Sequence, residues 1–173
     1  LEGNWLRFHN LFSQFPLTRA AALFRPDDLR RRHRRIADWY ADSGDREAAI
    51  QHWLEAGETE RAASLLAGVV DALVAQERLG LIESYAERLP AEALLRHDNL
   101  VHAAVIAYGF RRAFDKADRL LSAHEAQLKR SGADRAAVAS HKVSRLFVLA
   151  AQDRIEELGA EAQVAAETMV DRS

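Results

Sequence analysis

The residues with the most chemical potential in this chain are its seven histidines and a dense run of arginines. Histidines ligate a metal well from one helical face, at positions i and i+4. His97 and His102 are five apart, and His33 and His52 fall on different helices, so no pair has ligand spacing. Arg30, Arg31, Arg32, Arg34 and Arg35 surround His33 and could suit a phosphate backbone, but Asp27, Asp28 and Asp38 lie close by. Projected on a helix, the arginines spread over the solvent sides, within reach of acidic partners. A contact with another part of a longer parent is the functional alternative. Glu83, Glu87, Glu92, Glu156 and Glu157 do not pair around a pocket, and Glu156-Glu157 beside Arg154 suit a helix start. Ser84, Ser140 and Ser144 lack a nucleophile elbow or a partner histidine in sequence. None of the eight glycines sits in a phosphate loop. The chain is expected to be non-catalytic, with no metal and no cofactor of its own.

The elements that must position these residues are helices. Of 173 residues, 49% are apolar and 29% charged, which suits a soluble globular chain. The net charge of -2 gives no general attraction to nucleic acid or membrane. Cysteine is absent, which excludes disulfides and thiolate metal sites. Charges interrupt every long apolar stretch, so no membrane span or signal peptide is read, and a cytoplasmic protein is expected. The chain starts at Leu1-Glu2-Gly3 without an initiator methionine, and reads as a piece of a longer protein.

Three prolines and eight glycines punctuate the helices. The entry Trp5-Leu6-Arg7-Phe8-His9 alternates large and polar residues as a short edge strand does. A first helix starts near Asp27, with Leu29, His33, Ile36 and Tyr40 as its buried stripe and His33 half-buried on it. Ser43-Gly44-Asp45 stops it. Helices are predicted from Arg46 to Ala56, Thr59 to Arg78, Leu81 to Leu89, Asn99 to Arg111, Asp115 to Lys129, Ala136 to Ala151 and Arg154 to Val170. Residues 91–98 read as a connector with one helical turn. Short loops force neighbouring helices to lie antiparallel.

Ala37, Tyr40, Gly44, Ala49, Trp53 and Ala56 match the register of a tetratricopeptide repeat, in which small residues let two helices approach. Val105, Tyr108, Ala117 and Leu121 fit that register 68 positions later, twice the usual period of about 34. The unit around Gly80 fits poorly, so the repeats are irregular. The fold class is therefore all-α: antiparallel helical hairpins over residues 25–173, stacked as a tetratricopeptide-like right-handed superhelix.

The order of motifs over residues 4–100 resembles that of large MalT-like regulators. Trp5-Leu6-Arg7-Phe8-His9-Asn10-Leu11-Phe12 looks like the motif that closes their winged-helix part. His33-Arg34-Arg35-Ile36-Ala37, Trp39-Tyr40, Gly44, Ala49-Ile50-Gln51-His52, Ala56-Gly57-Glu58 and Leu89-Pro90-Ala91-Glu92 follow in the family's order. Pro16 departs from it, where the family continues a helix. The resemblance implies a LuxR-type transcriptional regulator in which a nucleotide-binding module precedes a winged-helix segment, a repeat superhelix and a helix-turn-helix. Residues 1–24 would end the winged-helix segment and residues 25–173 would begin the sensor. Its partners would be a small-molecule inducer or a protein and the other domains of the parent. DNA would be reached only through a domain outside this stretch, and no membrane is involved.

In a solenoid the first helix of each pair lines the inner wall. That places Arg31, Arg34 and Asp38 on the wall in the first unit, and Asn99, His102, Ile106 and Phe110 in the later one. A histidine, an amide and an aromatic together can hydrogen-bond and stack a small polar ligand or a peptide. Arg111, Arg112 and Arg145 could add anion recognition. The expected function is a regulatory sensor module that controls self-association of its parent. The alternative is a generic tetratricopeptide-type scaffold for protein partners.

Overall fold

Alanine, leucine, arginine and glutamate, all strong helix formers, dominate the chain after residue 25. A computed structural model of the protein describes residues 25–170, with side chains described up to residue 163. The described residues form ten helices and no strand. The strand-like entry at Trp5–His9 and the winged-helix end expected over 1–24 lie outside them. The chain divides into two compact units, residues 1–58 and 59–173.

In the first unit, α1 (Pro26–Ser43) and α2 (Arg46–Ala56) form a hairpin. Pro26 opens α1, where its missing N–H costs nothing, and Asp27 and Asp28 face the positive end of the helix dipole. Gly44 ends α1 at φ 87°, a conformation that disfavours a Cβ, and the Asp45 N–H bonds back to the Tyr40 carbonyl at 3.0 Å. Asp45 then caps α2 by accepting from the Ala48 N–H at 3.1 Å. Leu29, His33 and Tyr40 of the expected α1 stripe are half-buried, and only Ile36 departs from it. Ile36 is 41% exposed and Ala37 is fully buried, as is Ala49 on α2. Small side chains occupy the closest approach, and the isoleucine is turned outward.

The second unit runs α3 (Thr59–Ala67), α4 (Val70–Ala75), α5 (Leu79–Arg88), α6 (Ala91–Leu95), α7 (Asp98–Phe110), α8 (Phe114–Ser131), α9 (Arg135–Ala151) and α10 (Ile155–Val170). The single helix expected from Thr59 to Arg78 is broken at Gly68-Val69, giving α3 and α4. Glycine and the β-branched pair Val69-Val70 are poor helix formers, and here they fall together. The one-turn connector is α6.

The centre of this unit is α7, which packs against α3, α4, α5, α6, α8 and α9. Leu100, Val101, Ala103, Ala104, Val105, Ala107, Tyr108 and Gly109 are all buried. A helix apolar on nearly every side must lie inside, and its alanines and glycine let several neighbours approach. Three turns use a left-handed residue other than glycine: Glu77, Arg112 and Asp153, at φ 56°, 57° and 60°. Each is followed by the N–H that closes the helix end, as from Ala113 to the Tyr108 carbonyl at 2.8 Å. No helix among the described residues is long and apolar enough to cross a membrane.

Candidate functional site

Two helices of the second unit present apolar side chains outward together. On α7, His102, Ile106 and Phe110 follow one another at four-residue steps, along one face. On α9, Val143 and Phe147 do the same. Phe110 is 68% and Val143 66% exposed, while Ile106 and Phe147 are half-buried. The Phe110 and Phe147 rings lie 5.9 Å apart between centroids. Gly109 makes this approach possible, because a Cβ there would fall 2.5 Å from Cε1 of Phe147. Arg111, which follows Phe110 in the chain, pairs through its guanidinium with Glu83 of α5 at 3.1 Å.

Below His102 lies a cluster of imidazoles, one each from α7, α8 and α9. His124, fully buried, meets the Asp98 carboxylate through Nε2 at 3.0 Å and His141 through a 3.2 Å contact between the two Nδ1 atoms. An ionised carboxylate only accepts, so Nε2 of His124 carries a hydrogen. A neutral His124 then has a bare Nδ1, and the Nδ1–H of His141 donates to it. His102 bonds through Nδ1 to the Ser144 hydroxyl, and its ring stands edge-on to His124 at 6.3 Å. Its Nε2 is buried without a hydrogen-bond partner. Burial lowers the His102 and His141 pKa values, and the neighbouring His124 adds to both shifts; Asp98 opposes the first, Glu125 the second. A second pair stands in the first unit. His33 and His52 touch through their Nδ1 atoms at 2.8 Å, and Tyr40 stacks on His52. His52 is lowered by burial and then by His33. Among the described residues, no three histidine, cysteine, aspartate or glutamate groups come together to hold a metal ion.

The residues expected on an inner wall are dispersed. Arg31 pairs with Asp28 and Arg34 with Glu58, both on exposed surface. Asp38 accepts from Nε1 of Trp53 at 3.2 Å, which ties α1 to α2. Asn99 donates to the Ala67 carbonyl at 2.8 Å, which ties α7 to the end of α3. These two polar side chains are spent on holding helices together. His102 reaches Ser144 on α9. Ile106 and Phe110 are the expected wall residues that remain on an open face. Arg112 lies over the Phe114 ring, 5.5 Å from its centroid, and Arg145 pairs with Glu161 of α10.

The spacing rule for one helix missed both histidine pairs, because each forms across a turn. His124 lies eight residues before Gly132 and His141 nine after it, so a hairpin closing at that glycine brings them level. His33 and His52 also lie on either side of the turn at Gly44 and Asp45. Val143 and Phe147 were also missed. Their outward spacing on α9 was legible, but nothing in the sequence placed α9 beside α7.

Comparison with known proteins gives a limited likeness. No family model matches the chain. It is 28% identical over 99 residues to the serine/threonine-protein kinase PknK of Mycobacterium tuberculosis strain CDC 1551 / Oshkosh. The same identity is found with PknK of Mycobacterium bovis strain ATCC BAA-935 / AF2122/97. The match covers 57% of this chain and 9% of the relative, so the chain spans under a tenth of the length of these relatives. No solved structure matches.

Proposed function

We propose that this chain is a non-catalytic recognition module, a tetratricopeptide-like sensor segment of a MalT-like, LuxR-type regulator. The observation that carries the reading is the open face of Ile106 and Phe110 on α7 beside Val143 and Phe147 on α9. Exposed aromatic and β-branched side chains gathered on neighbouring helices mark a surface that gains free energy when covered. The order of motifs at residues 5–57 supports the regulator family, and the partial likeness to a much longer kinase is compatible with a module serving a larger chain. An inducer or protein segment on this face would favour one packing of the helices, and so shift self-association of the parent.

The test is a thermal-shift screen of the 173-residue chain against sugars, metabolites, nucleotides, anions and amphipathic peptides, with Phe110→Ser alongside. Phe110 is exposed, so this variant leaves the core intact. One ligand class should raise the melting temperature of the native chain and not of the variant. A shift equal in both would place binding elsewhere.

The alternative of a general protein-binding scaffold is favoured by one feature, the apolar character of the face. An occupant with apolar side chains of its own covers it better than a small polar ligand does. In the screen this reading expects peptides, and no metabolite, to give the shift.

A further inference from the structure

We propose that the outward face of α1 is the docking site of the chain's own residues 1–24, whose aromatic side chains cover Arg32, Arg35, Ile36 and Trp39. The inference is independent of what binds the face of α7 and α9.

Residue spacing makes this face. Positions 32, 36 and 39 fall along one side of α1, with Arg35 beside them. The other side, with Ala37, is closed against α2. Among the described residues of the first unit, Ile36 and Trp39 are the exposed large apolar side chains, at 41% and 51%. Arg32, Arg35, Ile36, Trp39 and Tyr40 line a hollow of about 580 Å³. The Trp39 ring meets Tyr40 edge-on, 4.9 Å between centroids, and Tyr40 stacks on His52 of α2. The indole therefore stands on a fixed base. An apolar patch rimmed by polar groups gains free energy when it is covered.

The chemistry of the face selects its occupant. Acids that neutralise the arginines of α1 sit off the face: Asp27 and Asp28 pair with Arg30 and Arg31, and Glu58 pairs with Arg34. No acid lines the hollow among the described residues. Guanidinium groups beside an indole stack well on aromatic rings, through cation–π attraction and flat contact. Residues 1–24 carry Phe8, Phe12, Phe15 and Phe24, four of the seven phenylalanines, together with Trp5. Their one acid is Glu2. Trp5, Phe8, Phe12 and Phe15 follow at steps of three, four and three, the spacing of an amphipathic apolar stripe.

The tether is long enough. Ile36 is ten residues beyond Pro26, which is about 15 Å along a helix axis. The stretch from Pro16 to Phe24 can span more than that, at up to about 3.3 Å per residue. A segment joined directly to α1 is present at an effective concentration of about millimolar. An acidic peptide would also suit the arginines, but it has to compete with that tethered segment.

The experiment is residue-resolved radical oxidation of the 173-residue chain, compared with a Phe8→Ser, Phe12→Ser, Phe15→Ser variant. Trp39 should be oxidised severalfold faster in the variant. Trp53, buried in the same hairpin, and Phe110, exposed in the second unit, should keep their rates. An equal Trp39 rate in both chains would overturn the proposal. If Trp53 opens as well, the hairpin itself has loosened and a second measurement decides. The chain has no cysteine, so Ser13→Cys gives a single site for a bimane label, whose emission a nearby indole quenches. Adding Trp39→Phe, a change on exposed surface, should raise that emission. Unchanged emission would overturn the docking, and so would quenching by Trp39 that fades on dilution, because the cover would then be a second copy.

Discussion

At the scale of single residues, the buried imidazoles govern how the chain responds to acid. The His52, His102 and His141 pKa values lie below the ordinary histidine value of 6.5. Each folded value is lower than the unfolded one, so the stability these groups contribute is fully present above pH 6.5 and is lost as pH falls toward the folded values. The urea midpoint should therefore be flat from pH 8 to 7 and decline below 6.5. Replacing His52 by glutamine should flatten part of that decline; a decline of the same size would exclude the first-unit pair as a contributor. The Asp98 carboxylate supplies the acceptor for a fully buried ring nitrogen. Asp98→Ala should cost about 1–3 kcal/mol in equilibrium unfolding, because a buried donor is left without a partner.

Helix ends and helix crossings set the next scale. Glu77 takes a left-handed conformation at φ 56° on exposed chain. A residue with a Cβ pays about 1 kcal/mol there, so Glu77→Gly should raise the urea midpoint, by roughly 0.5–1 kcal/mol in free energy. At the α7–α9 crossing the balance has the other sign. Gly109→Ala gains roughly 0.8–1 kcal/mol of helix propensity, but its methyl overlaps the Phe147 ring. Overpacking costs about 1–3 kcal/mol, so the single variant should be destabilised. In a Phe147→Ala background the same change should become neutral or stabilising, and a double-mutant cycle reads the difference. Element boundaries were legible at several of the glycines and prolines in the sequence. Gly44, Gly57, Gly132 and Pro90 mark ends that the structure places within one or two residues of expectation. The break between α3 and α4 was missed because Gly68 sits inside an otherwise helical apolar pattern. The turns at Glu77, Arg112 and Asp153 carry no glycine to announce their conformation.

At the scale of the whole molecule, the helical class followed directly from composition and period, and the candidate site followed only in part. Ile106 and Phe110 were legible as a pair because their spacing falls on one face of one helix. Asn99 and Asp38 fit wall positions by register, yet each bonds to a neighbouring helix, and that fate depends on a partner on another helix. The imidazole cluster draws on three helices and could be seen only once the hairpins were closed. The second unit has its own core, from Leu66 through Leu100 and Leu121 to Val148. A chain trimmed to residues 59–173 is therefore expected to unfold in one cooperative transition; a gradual, non-cooperative loss of helix would contradict that.

The central claim is that the face shared by α7 and α9 is covered when the protein is at work. Hydroxyl-radical footprinting tests it most directly, by comparing the purified 173-residue chain with the same residues inside the native cells. Phe110, Val143 and Phe147 should be oxidised readily in the purified chain and protected severalfold in the cells, with Phe110 changing most. Equal oxidation in both settings would contradict the account, because a face that remains open in the working protein is not where recognition occurs.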